Sequence, residues 1–128
     1  MNKSKTTIPL ELSQTGPLPV LTFYFQGDLT KNKAIQMIEE WEMYMNSQPT
    51  EQFILIWEAM EMSGYEPAAR TLWQKTLKDF RDRIDTIWLV SDKRIIRLGA
   101  NLMGTFTKLN IKPVANIHEV KLPEGSPV

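Results

Sequence analysis

A chain of 128 residues has room for one domain core of ordinary size and not for two. Its 42% hydrophobic and 23% charged residues, with six glycines and eight prolines, exclude a disordered, collagenous or coiled-coil protein. Fifteen basic and fifteen acidic residues cancel and cysteine is absent, which argues against a dedicated nucleic-acid binder and removes thiolate catalysis, thiolate zinc sites and disulfides.

Read in chain order, Pro9, Glu11, Ser13, Gln14 and Gly16 interrupt every apolar run near the N-terminus, so no secretory signal is expected. Residues 7–12 alternate Ile8, Leu10 and Leu12 with Thr7, Pro9 and Glu11, the period of a half-exposed strand, and Pro9 assigns it to a sheet edge. Gly16-Pro17 punctuates a turn. Residues 20–25, Val-Leu-Thr-Phe-Tyr-Phe, read as a second strand ending at Gly27-Asp28 and pairing with the first as a hairpin. Residues 30–47 predict a helix, capped by Thr30 and stopped before Pro49, with Ile35, Ile38, Trp41, Glu42 and Met45 inward and Glu39 and Glu40 outward.

Residues 53–58, Phe-Ile-Leu-Ile-Trp-Glu, are too short and too uniformly apolar for a surface helix and predict a central strand covered on both faces. Pro67 suits the first turn of a second helix, with Ala69, Leu72, Trp73, Thr76, Leu77, Phe80 and Ile84 on one side and Arg70, Lys75, Lys78 and Arg81 elsewhere. Residues 86–91 repeat the buried-strand signature. Asp92 is the expected cap of a third helix carrying Ile95, Ile96, Gly99, Leu102, Met103, Phe106 and Leu109, and Pro113 is its expected stop. Residues 114–120 supply a last strand. The expected organisation is a disordered stretch at 1–6, one domain at 7–120 and a flexible tail at 121–128.

The order β-β-α-β-α-β-α-β predicts an α/β protein with a mostly parallel sheet of about five strands and an N-terminal hairpin. Right-handed crossovers between neighbouring strands put the helices mainly on one face. The central strands look apolar on both sides, with Phe53, Leu55 and Trp57 opposed to Ile54 and Ile56, and Ile87 and Leu89 opposed to Trp88 and Val90. The second face therefore calls for a cover: the hairpin, a second copy in a homodimer, or an apolar ligand.

The element order, Gly27-Asp28-Leu29-Thr30 between the second strand and first helix, and Ile56-Trp57-Glu58 with Ser63-Gly64 opening the second helix resemble the STAS domain, the anti-sigma-factor-antagonist fold. Ala69-Arg70-Thr71-Leu72-Trp73-Gln74, followed by Ile87-Trp88-Leu89-Val90-Ser91, is similar to its uncharacterised bacterial branch, the SpoIIAA-like proteins. The resemblance covers about residues 7–120. It implies a non-enzymatic regulatory module that docks on a protein partner, such as a kinase-like regulator, through the loop before the second helix. Regulatory STAS proteins carry Asp-Ser-Ser-Gly in that loop, with a phosphorylated serine; the nearest counterpart here is Glu61-Met62-Ser63-Gly64, which lacks the tandem serine. A more remote similarity to CRAL-TRIO domains offers the alternative of a carrier or sensor of a small, lipid-like apolar ligand.

The candidate partner-binding or regulatory surface is Ser63, Gly64, Tyr65, Glu66, Arg70 and Gln74, adjoined by Lys78. Ser63 lies where a parallel strand's carboxyl end meets a helix N-terminus, a place that suits an anion or phosphorylated side chain. Ser63 to Glu66 also reads as a capping box, in competition with Glu66 as the cap itself. The candidate ligand pocket is Trp57, Glu58, Met60, Trp88, Ser91 and Asp92. Asp28, Glu58, Ser91 and Asp92 are expected near one end of the sheet with Tyr65 leaning over them, yet no metal-ligand spacing sharpens them into a metal site. A hydrolase built on Glu58, Asp92 and the single histidine, His118, is the remaining alternative, without a nucleophile elbow to support it. Phosphate-loop and dinucleotide fingerprints are absent, so no cofactor is expected. The four tryptophans at 41, 57, 73 and 88 fall mainly in the core, with Trp57 and Trp88 the favoured pocket or dimer residues. Residues 28–66 carry eight acids and two bases, and residues 67–112 ten bases and four acids, so helix one is expected to be acidic outside and helices two and three basic. The expected protein is cytoplasmic, with no membrane insertion, since no apolar run approaches the roughly 20 residues of a span.

Overall fold

The computed structural model describes residues 10–13, 16–47 and 52–122. Five strands form one sheet: β1 (Leu10–Ser13), β2 (Val20–Leu29), β3 (Phe53–Tyr65), β4 (Ile84–Val90) and β5 (Ile111–Val114). They lie side by side in chain order, β1 antiparallel to β2 and the rest parallel. Three helices make the crossovers, α1 (Lys31–Ser47), α2 (Pro67–Asp79) and α3 (Arg94–Thr107). Residues 1–9, which include half of the expected first strand, and Pro49 lie outside the described residues.

Period-two alternation divides the sheet as the sequence predicts. Phe23, Leu55, Trp57, Ile87 and Leu89 join one large cluster with Met37, Trp41, Trp73, Leu77, Ile96 and Ala100 from all three helices. Its centre is aromatic: Trp41 and Trp73 lie 5.3 Å apart, and the ring of Phe23 meets each edge-on at 5.4 and 5.5 Å. Such pairs add about 0.5–1.5 kcal/mol each beyond the area they bury. On the opposite face Val20, Ile54, Ile56, Trp88 and Val90 form a second, smaller buried cluster, and none of the three helices packs on it.

That second face does not wait for a companion. Leu18 packs on it from before β2, and Val120 and Leu122 from the segment after β5. The chain's own ends of the fold thus bury Trp88 and its neighbours, and a second copy is not required to do so. Residues 114–120, expected as a strand, instead leave β5 at Val114, make a 3-10 turn at Ile117–Glu119 and return over the sheet.

Four local expectations are corrected. On α1 the inner face is Ala34, Met37, Ile38, Trp41 and Met45, while Ile35 and Glu42 turn outward. Ile84 opens β4 and is not part of the second helix. Asp92 does not cap α3: Lys93 holds the cap position without a side-chain bond, and Ser91 Oγ accepts from Lys93 N at 3.1 Å. Pro113 does not stop α3, which ends where Lys108 turns left-handed at φ 61° and its N–H returns to Gly104 O; Pro113 sits in the edge strand β5, where a missing N–H is tolerated. The cap at Thr30 is present, with its Oγ1 accepting from Lys33 N at 3.2 Å.

Candidate functional site: the seam between the second and third helices

The site begins with the length of β3. It runs 13 residues, seven beyond Glu58, and its far end pairs with β2 through two register shifts, with Gly27 at φ +66° supplying a conformation that other residues rarely adopt. Ser63, Gly64 and Tyr65 are therefore strand residues and not a loop, and the capping-box reading fails with them. Glu66 is the N-cap of α2 with Pro67 at the first helical position, and it makes no side-chain cap bond to α2.

The polar groups of this stretch are engaged in holding strand to helix. Ser63 Oγ donates to Asp28 Oδ1 at 3.0 Å, Glu66 Oε1 accepts from Lys31 N at 2.8 Å, and Glu66 N donates to Leu29 O at 3.0 Å. The Glu66 carboxylate thereby satisfies an orphan donor at the start of α1, the end of a helix that favours negative charge. Lys33 Nζ donates to the carbonyls of Gln26 and Asp28 at 3.3 and 3.1 Å.

The acids expected at one end of the sheet do not assemble. Asp28 is level with Gly64 on β3, whereas Glu58 is level with Tyr24 and Val90; Tyr24 and Asp28 are four β2 positions apart, roughly 13 Å at about 3.3 Å per residue. Glu58 Oε1 accepts from Met60 N at 3.1 Å, and Asp92 is exposed. No group of three or more His, Asp or Glu side chains among the described residues is arranged to hold a metal ion. His118 is exposed on the 3-10 turn with its backbone N–H on Asn116 Oδ1, and no hydrogen bond joins it to Glu58 or Asp92.

The expected ligand pocket is split by the sheet. Trp57 faces the helices, while Met60 and Trp88 belong to the opposite cluster, where Lys112 Nζ stands 5.2 Å from the Trp88 ring centroid. Ser91 is fully buried and structural: its Oγ accepts from Lys93 N, and its carbonyl accepts from Arg97 Nε at 2.8 Å. A cavity among the described residues lies between α3, α2 and β3, measures about 40 Å³, and is lined by Trp57, Tyr65, Trp73, Leu89, Gly99 and Met103 among others. Tyr65 closes it by lying on bare backbone, since a Cβ on Gly99 would stand 2.5 Å from its hydroxyl and 2.9 Å from its ring. The indole N–H groups of Trp57 and Trp73 are buried without a hydrogen-bond partner, as is Arg70 Nε on the same helix as Trp73.

Above the cavity, α3 keeps an apolar surface that the core does not use. Ile96, Gly99 and Ala100 face inward, whereas Ile95, Leu98, Leu102 and Phe106 are 57, 53, 56 and 64% exposed. At about 100° per residue these four fall within an arc of roughly 80°, beside the buried face. Full burial of such side chains is worth about 1.5–3 kcal/mol each, so roughly 1 kcal/mol per residue is left unclaimed. Across the seam Lys78 of α2 holds its Nζ 5.8 Å from the Phe106 ring centroid, which places the expected Arg70–Gln74–Lys78 face beside this stripe. Sequence reasoning placed Ile95, Leu102 and Phe106 on this helix without giving them an outer face and passed over Leu98. The available signal was angular width, because apolar residues at 95, 96, 98, 99, 100, 102, 103 and 106 cover far more of the helix than a buried stripe needs.

No family model matches the sequence, and no curated protein matches it. Among solved structures the chain is similar to an uncharacterized protein from the DUF3478 family with a SpoIIAA-like fold from Shewanella loihica PV-4, at a TM-score of 0.71 and 14% identity over 86% of this chain and 87% of that one. At that identity the likeness is one of architecture, and it agrees with the strand order, the hairpin and the one-sided helices described above. The chain is an α/β protein of the SpoIIAA-like fold.

Proposed function

We propose that this chain is a non-enzymatic protein-interaction module whose contact surface is the outer face of α3 together with the Arg70, Gln74 and Lys78 side of α2. One observation carries the reading: four large apolar side chains, more than half exposed, follow one another along a single helix. Scattered exposed apolar residues need no explanation, but a contiguous row does. Arg70 and Gln74 remain in the contact surface, while Ser63 and Glu66 make bonds within the fold and are left out of it.

Affinity capture from extract of the native cells tests the reading when wild type and Leu102→Glu are run side by side. A protein retained by wild type and lost at least about tenfold on the variant supports it. Equal retention, or nothing specific retained by wild type, defeats it.

A carrier of a small apolar molecule is the second reading, favoured by the unpaired indole donors of Trp57 and Trp73 on the cavity lining. Size supports the first reading at this cavity. About 40 Å³ has room for one water, whereas a benzene-sized guest occupies a cavity of about 150 Å³. Native mass spectrometry of freshly purified protein separates them, since a bound mass would favour carriage and a bare spectrum the interaction module.

A further inference from the structure

We infer that the occupant of the α3 face is an acidic amphipathic helix of a partner protein, an inference that rests on the interaction reading and specifies its partner. The stripe is built for a rod. Ile95, Leu98, Leu102 and Phe106 are spaced three, four and four residues apart and extend about 16 Å along the axis, or three turns of a docking helix. Lys78 borders the stripe from α2, so the surface has two helical walls.

Cations border it. Arg94 precedes Ile95 and is exposed, Lys108 follows Phe106 and is exposed, Lys78 stands over Phe106, and α3 itself contains no acid. Of the acids, Asp79 is ion-paired with Lys75 at 3.0 Å and Asp92 is exposed ahead of the helix. Lys93 and Arg97 are drawn away to the carbonyls of Met60 and Ser91. Three separated cations along an apolar row match carboxylates at helical intervals, and they match an acidic partner better than a second copy. Two α3 faces related by a two-fold axis would bring basic flank against basic flank. The acidic α1 of a second copy, with exposed Ile35 and Met43 beside Glu39 and Glu42, has the same chemistry as the partner helix, and sedimentation in the test below separates that dimer from a partner protein.

The test titrates the full chain with two labelled helical peptides of about 20 residues, identical in their Leu-rich apolar face and carrying either Glu or Lys on the flanks. The acidic peptide is expected to bind at least about tenfold tighter than the basic one, to weaken as salt rises from about 50 to about 500 mM, and to lose binding on Leu102→Glu. Lys78→Glu, which changes charge and leaves the apolar stripe intact, is expected to narrow or reverse the preference, and covers the case in which Leu102→Glu folds poorly. Equal affinities, or preference for the basic peptide, overturn the inference. So does sedimentation of wild type as a dimer that Leu102→Glu dissolves, or Leu102-dependent co-sedimentation with vesicles of phosphatidylcholine and phosphatidylglycerol. Should capture from extract remain sensitive to Leu102→Glu while the peptides are not distinguished, the interaction module stands and its acidic helical partner falls; absent capture removes the module itself.

Discussion

Helices α2 and α3 follow parallel strands, lie on the same side of the sheet and sit next to each other, yet they are held differently. α2 is anchored by Trp73, which is buried among Phe23, Phe25, Trp41 and Trp57 and shares aromatic contacts with all four. α3 rests on small or slender residues, Ile96, Gly99 and Ala100, with Tyr65 filling the space a side chain at Gly99 would take. Its largest side chains point away from the core. The comparison teaches that apolar content and core contribution are separate properties of a helix: α3 is the more apolar of the two and spends less of that character on the fold.

Substitutions sharpen the contrast in a definite order. Trp73→Ala should cost about 3–5 kcal/mol, measured by urea unfolding, because it empties a fully buried site at the aromatic centre. Gly99→Val should cost about 1–3 kcal/mol, since the new Cβ collides with the Tyr65 ring, and adding Tyr65→Ala should recover part of that loss in a double-mutant cycle. On the other side of the sheet, Leu122→Ala should cost about 1 kcal/mol and raise acrylamide quenching of Trp88, whose cover it thins. Ser63→Glu should cost about as much or somewhat less, more than Ser63→Ala, because a carboxylate replaces a hydroxyl that donates to Asp28.

The smallest effect is a titration. Tyr24 donates to Glu11 Oε1 at 2.6 Å, and this bond, with burial and the charges of Glu11 and Glu58, pushes its pKa up to about 12. Folding thus favours the protonated phenol. The associated stability is complete below the ordinary tyrosine value near 10 and is lost as pH rises through about 12. Absorbance at the tyrosinate band should show one late phase, and Glu11→Gln should bring it to lower pH.

Much of the architecture was legible in the sequence because it rests on periodicity. Alternation in 53–57 and 87–90 told correctly which side chains share a face, and chain order with right-handed crossovers put the helices on one side. What was not legible depends on distant contacts. Residues 59–65 carry Glu61, Ser63 and Gly64, which look like a loop, and become strand because β2 continues alongside them through two register shifts. The Tyr65–Gly99 contact joins residues 34 positions apart, and neither neighbourhood announces it. The folding-back of Val120 and Leu122 escaped for a related reason: two apolar residues among prolines and charges give no period. Of the two faces in the proposed contact surface, Arg70, Gln74 and Lys78 were named from the sequence, while the row beside them was only placed on the third helix, with no outward face assigned to it.

The unfolding midpoint of a variant carrying Leu98→Asn, Leu102→Asn and Phe106→Asn together tests this division of labour most directly. If the outer row of α3 serves contact and not the core, the midpoint stays at the wild-type value or above it, to within about 0.5 kcal/mol per substitution. A combined loss of 4 kcal/mol or more, over half of the roughly 7 kcal/mol that truncating two leucines and a phenylalanine in a core costs at minimum, would put that row inside the fold and contradict the account.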